Sequence, residues 1–190
     1  RRDGHEIQLY RMYKSGTCDK INLIKDVSET LHYGKDKLIA SDTPALKKYP
    51  VIFSTDAAVQ IYNYFFYRLS AGFKVQRISD FEIGKPVAEN VAGDKVTMYA
   101  VHELPNSSFN YLFDAEGALI RDRCLMREDV PENFWGTRQM SQYLGLQDSS
   151  IVYNYKVEGG AQSAAELRKG EYLEIVEFSD FQVDPMTGDI

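Results

Sequence analysis

Histidine and cysteine are scarce in this sequence. Its 190 residues hold three histidines, His5, His32 and His102, and two cysteines, Cys18 and Cys124. None of these stands at the spacing of a structural zinc site, and two cysteines make no disulfide framework. Both thiols are expected to be buried and free, in a reducing compartment such as the cytoplasm. No apolar run approaches the ~20 residues of a membrane helix, so no membrane partner is expected. The opening RRDGHEIQLY has neither an initiator methionine nor an apolar signal core. It does not read as a signal peptide. A fragment of a longer protein is expected, and a signal removed upstream is compatible with this start.

Basic charge is thin as well. Lys and Arg number 22 against 28 Asp and Glu, a net charge of −6, and the densest basic pair, Lys47-Lys48, is isolated. Nucleic-acid binding needs several phosphates neutralised from one face, which argues against a nucleic-acid partner. Asn106-Ser107-Ser108 is a glycosylation sequon only in a secreted chain, and it reads as a polar turn after Pro105. Internal repeats and low-complexity tracts are absent. With 44% apolar and 26% charged residues, what remains is an ordinary globular chain. Its length suits one core, or one domain with part of a second.

One metal motif is half present. His5-Glu6 begins HExxH, but position 9 is Leu9, and the motif needs a helix to bring both imidazoles to one metal. The stretch alternates instead, with Ile7, Leu9 and Arg11 on one face and Gln8, Tyr10 and Met12 on the other. That is the period of a strand, and it sends His5 away from any partner four residues on.

Next, residues 17–36 predict a helix capped by Thr17 or Asp19 and ended by Gly34, with Ile21, Ile24, Val27 and Leu31 as its apolar stripe. ASDTPALKKYP, with two prolines and no periodicity, predicts a connection between two lobes. PVIFS predicts a short buried strand. Ser54 or Thr55 then caps a second helix, striped by Ala58, Tyr62, Phe65 and Leu69 beside Ile61 and Phe66, and stopped by Gly72. A strand–helix unit can bind phosphate, but FSTDAA has no glycine for that turn, so the aromatic stripe is expected to be core.

From residue 73 the pattern is β-rich, with DKVTMYAVHEL, NYLFD, ALIRDRCLM, SIVYNYKV and EYLEIVEF as strands. MSQYLGL, with Met140, Tyr143 and Leu144 at helical spacing, and SAAELRKG, with Ser163 as cap and Gly170 as stop, predict two short helices. The fold class is α+β, mostly antiparallel β in the second half. His102, mid-strand with no histidine near it in sequence, is expected to be structural or at the surface. In FDAEG, Asp114 is placed to accept bonds from following amides, and Gly117 to supply the backbone freedom of a hairpin turn. A turn that fixes strand register is at least as good a reading as a binding role, and two carboxylates two residues apart, Asp114 and Glu116, are too common to argue an acid and base. No Ser/His/Asp or Cys/His constellation is legible around Cys124, which argues against hydrolysis by a nucleophile.

Four stretches in order carry a resemblance: YPVIFSTDAAVQIYNYFF, FDAEGALIRDRCLM, VPENFWGTRQMSQYLG and FQVDPMTGDI. Together they resemble the C-terminal domain of the TldD/PmbA peptidase family, long labelled modulator of DNA gyrase. The resemblance implies residues 49–190 as part of that β-rich domain and residues 1–48 as the end of an N-terminal lobe with its connecting helix and linker. Active members carry HExxxH on the helix after the Pro-Val strand, its histidines binding zinc and its glutamate activating water. In this chain Asn63, Tyr64 and Arg68 stand where His, Glu and His would be. No zinc or other cofactor is therefore expected, and the chain resembles the metal-free PmbA/TldE-type members. The resemblance further implies a zinc-bearing TldD-type partner or a homo-oligomer, acting on unfolded peptide. The alternative is an autonomous β-rich binding domain that shares only the fold.

Overall fold

The computed structural model describes residues 4, 6–41, 48–147, 149–178, 181, 182 and 184. His5, most of the ASDTPALKKYP connection and most of FQVDPMTGDI lie outside the described residues. The chain divides into two compact units, one of residues 1–48 with 105–109 and one of residues 49–104 with 110–190.

In the first unit, residues 6–15 are extended but form no β ladder, contrary to the expected strand. The alternation survives, since Ile7, Leu9 and Arg11 are half-buried while Gln8, Tyr10 and Met12 are exposed. A period of two sorts side chains to two faces, but it does not supply a neighbouring strand to bond to. Gly16 N–H donates to the Asn106 carbonyl at 2.9 Å, and Ser15 Oγ donates to Asn106 Oδ1 at 2.8 Å. The sequon asparagine thus sits in the turn after Pro105.

A short 3-10 turn, Cys18–Lys20, precedes helix α1, Leu23–Leu38. The cap is Asn22, whose side chain accepts from Lys25 N–H at 3.1 Å, rather than Thr17 or Asp19. Gly34 does not end the helix. It is the buried residue within it, and a Cβ there would meet Leu9 Cδ1 at 3.0 Å, so the missing side chain admits the extended segment. The expected apolar stripe is solvent-exposed at Ile24 (87%), Val27 and Leu31, because Gly34, not the stripe, faces Ile7 and Leu9. Cys18 is exposed rather than buried.

The second unit begins with β1, Val51–Phe53, which is partly exposed and not the buried strand expected. It pairs in parallel with β6, Leu173–Ile175, as a two-stranded ribbon. Helix α2, Thr55–Arg68, follows after Ser54. Gly72 is not its stop. The helix closes at Leu69, and Ser70 then caps a new one, α3 (Ala71–Val75), by accepting from Phe73 N–H at 3.2 Å. Trp135 fixes this break: Ala71 N–H donates to its carbonyl at 2.7 Å, and its own N–H donates to the Leu69 carbonyl at 3.1 Å.

A four-stranded antiparallel sheet completes the unit. Strands β2 (Met98–Val101), β3 (Arg123–Arg127), β4 (Val130–Pro131) and β5 (Asn154–Val157) lie in the order β4-β3-β2-β5. The β3–β4 hairpin turns on Glu128 and Asp129, both at positive φ. Asp129 is held there because its N–H donates to the Val96 carbonyl at 3.0 Å and its Oδ1 accepts from Val96 N–H at 2.8 Å. NYLFD forms no strand, only an isolated bridge between Phe113 and Leu119. Two short helices follow, α4 (Arg138–Tyr143) and α5 (Ala164–Leu167). Ser163 caps α5 through a capping box, as its sequence predicts. Met140 and Leu144 pack against the core beside α4, but Tyr143 is exposed. The architecture is α+β, with the core built from Phe66, Leu69, Met98, Ala100, Leu125 and Met126 among others.

Candidate functional site

The last two turns of α2 present Asn63, Tyr64 and Arg68, and each is engaged. Tyr155 on β5 donates its hydroxyl to Asn63 Oδ1 at 2.8 Å, with the Val59 carbonyl at 3.2 Å sharing the proton. Burial, with Tyr67 and Tyr62 nearby, pushes the Tyr155 phenol up to about 12, so it remains a donor at neutral pH. Its ring stacks on Phe66 at 4.7 Å, and Phe66 stacks in turn on Trp135 at 4.7 Å. Trp135 Nε1 donates to the Phe66 carbonyl at 2.8 Å. These contacts pin the helix to the sheet.

Arg68 is 5% exposed, yet its partner Asp80 has a side chain 82% exposed. The guanidinium donates to Asp80 Oδ1 and lies 5.3 Å from the ring centroids of both Tyr64 and Phe81. The hydrogen bond from Arg68 holds the Asp80 carboxyl below its ordinary value. Arg68 is thus a fixed positive charge, desolvated between two aromatic faces. These residues do not fit zinc. Asn63 spends its oxygen on Tyr155, Tyr64 turns its ring face to the Arg68 guanidinium, and Arg68 has donors only. Among the described residues, no group of three or more His, Cys, Asp and Glu side chains is placed to hold a metal ion.

The remaining reactive groups are accounted for separately. Burial, then the adjacent Glu132, pushes the Cys124 thiol up to about 11, the opposite of an activated nucleophile. His102 is half-buried, with Nδ1 2.7 Å from Asp122 Oδ1, and its N–H donates to the same oxygen at 2.8 Å.

The FDAEG turn is a separate constellation in the same unit. Asp114 is buried and accepts from Glu116 N–H at 2.9 Å, Ala118 N–H at 2.8 Å and Ile151 N–H at 2.9 Å. Gly117 turns the chain at φ +76°. Glu116 Oε2 accepts from Arg138 N–H at 2.7 Å, at the start of α4. Both carboxylates are thereby committed to backbone amides, and they tie the turn to the chain on either side of residues 138–151. A cavity of about 470 Å³ opens beside it, lined by residues 117–121, by α4 and by the loop after α4.

Neither Tyr155 nor Asp80 is foreshadowed in the sequence. A tyrosine in a strand and an aspartate in a loop carry no mark of the helix residues they will meet. Only the lone arginine in an apolar helix face, Arg68, hints that a counter-charge is needed.

Among described residues, no helix is long and apolar enough to cross a membrane. No curated protein is detectably similar to the chain in sequence. Solved structures are similar in fold. One is from Thermotoga maritima, described as a candidate modulator of a DNA gyrase (TM-score 0.72, 19% identity), matched over 90% of this chain and 42% of its own. A second, from Bacteroides thetaiotaomicron and described likewise, has a TM-score of 0.67 at 17% identity, over 85% of this chain and 37% of its own. TldE from Thermococcus kodakarensis gives 0.55 at 18% identity, over 73% of this chain and 35% of its own. This chain thus spans less than half the length of these relatives. The family model described as the PmbA/TldA metallopeptidase C-terminal domain matches residues 46–190, and the chain belongs to that TldD/PmbA family.

Proposed function

We propose that this chain is a non-catalytic member of its family, a subunit or relative acting in peptide proteolysis or maturation in the cytoplasm. It would work beside a zinc-bearing TldD-type partner or in a homo-oligomer, with unfolded peptide as the substrate. On this reading residues 1–48 are the end of an N-terminal lobe and residues 49–190 part of the C-terminal domain. The observation that carries the proposal is Arg68, buried and ion-paired with Asp80, the residue that the resemblance sets against a zinc-binding histidine. A guanidinium does not lose its proton in proteins, so it opposes a divalent cation at every accessible pH. Without a metal there is no polarised water for a base to act on. Asp114 and Glu116 serve as structural acceptors rather than as acid and base, since Asp114 accepts from three backbone amides and Glu116 from one.

Two measurements test this. Elemental analysis after dialysis against trace zinc is expected to find well under one metal per chain, and a tightly held equivalent overturns the proposal. Incubation with an unfolded peptide library is expected to give no cleavage by the chain alone, and cleavage with a co-expressed homologue carrying HExxxH. Chelator-resistant cleavage by the isolated chain defeats the reading. Cleavage in neither case favours the autonomous binding domain.

A further inference from the structure

We propose that the cavity between the FDAEG turn and α4 binds the free α-carboxylate of a peptide. The inference deepens the subunit reading, on which it rests for the substrate class. At about 470 Å³ the cavity lies within the usual range for small-ligand sites, about 300–1,000 Å³. Arg121 and Arg138 both line it. Neither guanidinium has an ion-pair partner among the described residues, in a chain whose net charge is −6. The two acids of the adjoining turn do not neutralise them. Asp114 is spent on three amides, and Glu116 accepts from the backbone N–H of Arg138 rather than from its side chain.

The rest of the lining selects among anions. A phosphate or sulfate site needs donors alone. Here the arginines are joined by the carboxamides of Gln142 and Gln147, which both donate and accept, and by the apolar side chains of Leu119 and Leu146. That set matches the end of a peptide: a planar carboxylate for an arginine fork, a last amide with one donor and one acceptor, and an apolar terminal side chain. The walls are already in place. Asp114 holds the turn to Ile151, Glu116 holds it to α4, and Thr137 Oγ1 accepts from Met140 N–H at 3.3 Å, so little ordering remains to oppose binding.

The test is fluorescence anisotropy on the 190-residue chain, with chelator present and no partner subunit. The probe is a short dye-labelled unstructured peptide ending in Ala-Leu, as the free acid and as the C-terminal amide. The acid should bind at least roughly tenfold more tightly than the amide, the scale of one charge-assisted hydrogen-bonded contact. Its affinity should fall with salt, because both arginines are solvent-accessible. Arg121→Gln and Arg138→Gln should each weaken the acid by roughly tenfold and leave the amide unchanged. Gln147→Glu should weaken the acid as well, by introducing a like charge. Melting temperature should be unaffected in all three, since among the described residues no side-chain hydrogen bond or ion pair is made by Arg121, Arg138 or Gln147. Equal binding of acid and amide, or an acid preference that survives both arginine substitutions, overturns the proposal. Competition by inorganic phosphate at the concentration of the peptide acid reduces the site to a simple anion hole and also overturns it. An amide peptide with an internal glutamate that binds as well as the acid refutes the assignment to the chain end. All of these outcomes are read without zinc or a partner, so a failure of the subunit reading leaves them interpretable.

Discussion

Arg68 and Asp80 form an unequal pair, the cation desolvated and the anion almost wholly in water. Asp80 is held below its ordinary value of 3.8, first by the hydrogen bond from Arg68. A depressed folded value means that the stabilisation is complete above the unfolded value and disappears as pH falls through the lower folded one. Asp80→Asn should therefore lower the urea midpoint at neutral pH and leave the midpoint in strong acid little changed, which flattens the acid side of stability against pH. A neutral midpoint and acid slope both unaltered would mean that Arg68 relies on other partners. His102 runs the other way. Asp122 raises its pKa above 6.5. The stabilisation it brings is present below that value and is lost as pH rises through the folded one. Proton NMR should show the His102 titration move to lower pH in Asp122→Asn, and an unmoved curve would remove Asp122 as the cause.

Among the elements, α2 and the FDAEG turn have the clearest energetic consequences. Phe66 is buried between Tyr155 and Trp135, whereas Phe65 is only partly buried. Phe66→Ala should cost about 3–5 kcal/mol in chemical denaturation. Phe65→Ala should cost less, about 1–3 kcal/mol, since part of its ring keeps its solvent. If the order were reversed, the stacked triad would not be the anchor of the helix. Asp114→Ala strands three amides at once and should cost about 2–4 kcal/mol, more than a typical turn substitution. The helix itself was legible, because its apolar spacing is long, although Ser54 at its N-cap makes no side-chain capping bond. The choice of Phe66 over Phe65 was not, because adjacent aromatic residues satisfy the same 3.6-residue period and the sheet decides between them. Gly34 and Gly72 were misleading for a shared reason. Glycine is read from sequence as a stop, but here one makes room for Leu9 and the other lies inside a helix that Ser70 begins. The FDAEG turn was legible down to its acceptor, since Asx and glycine turns are local. The cavity beside it was not, because its lining is assembled from segments about twenty residues apart.

At the scale of the molecule, the resemblance carried the family. Asn63 and Arg68 lie on a helix legible in the sequence, while Tyr155 and Asp80, which engage them, are visible only in the fold. The two-stranded ribbon has a further consequence, one of timing. β1 and β6 are separated by more than a hundred residues of chain, and between them runs the entire antiparallel sheet. Closing so long a loop costs entropy that three residue pairs repay poorly. The ribbon should thus be the last structure to form and the first to open, while the sheet stays intact. In native-state hydrogen exchange, the amides of Ser54 and Leu173, which bond to Ile175 and Pro50 across the ribbon, should lose protection well before those of β2. During synthesis β1 waits, with Val51 and Phe53 partly exposed, until almost the whole unit has emerged. A second copy's β6 offers it the same edge. Crowded nascent chains are accordingly exposed to strand exchange at this one seam.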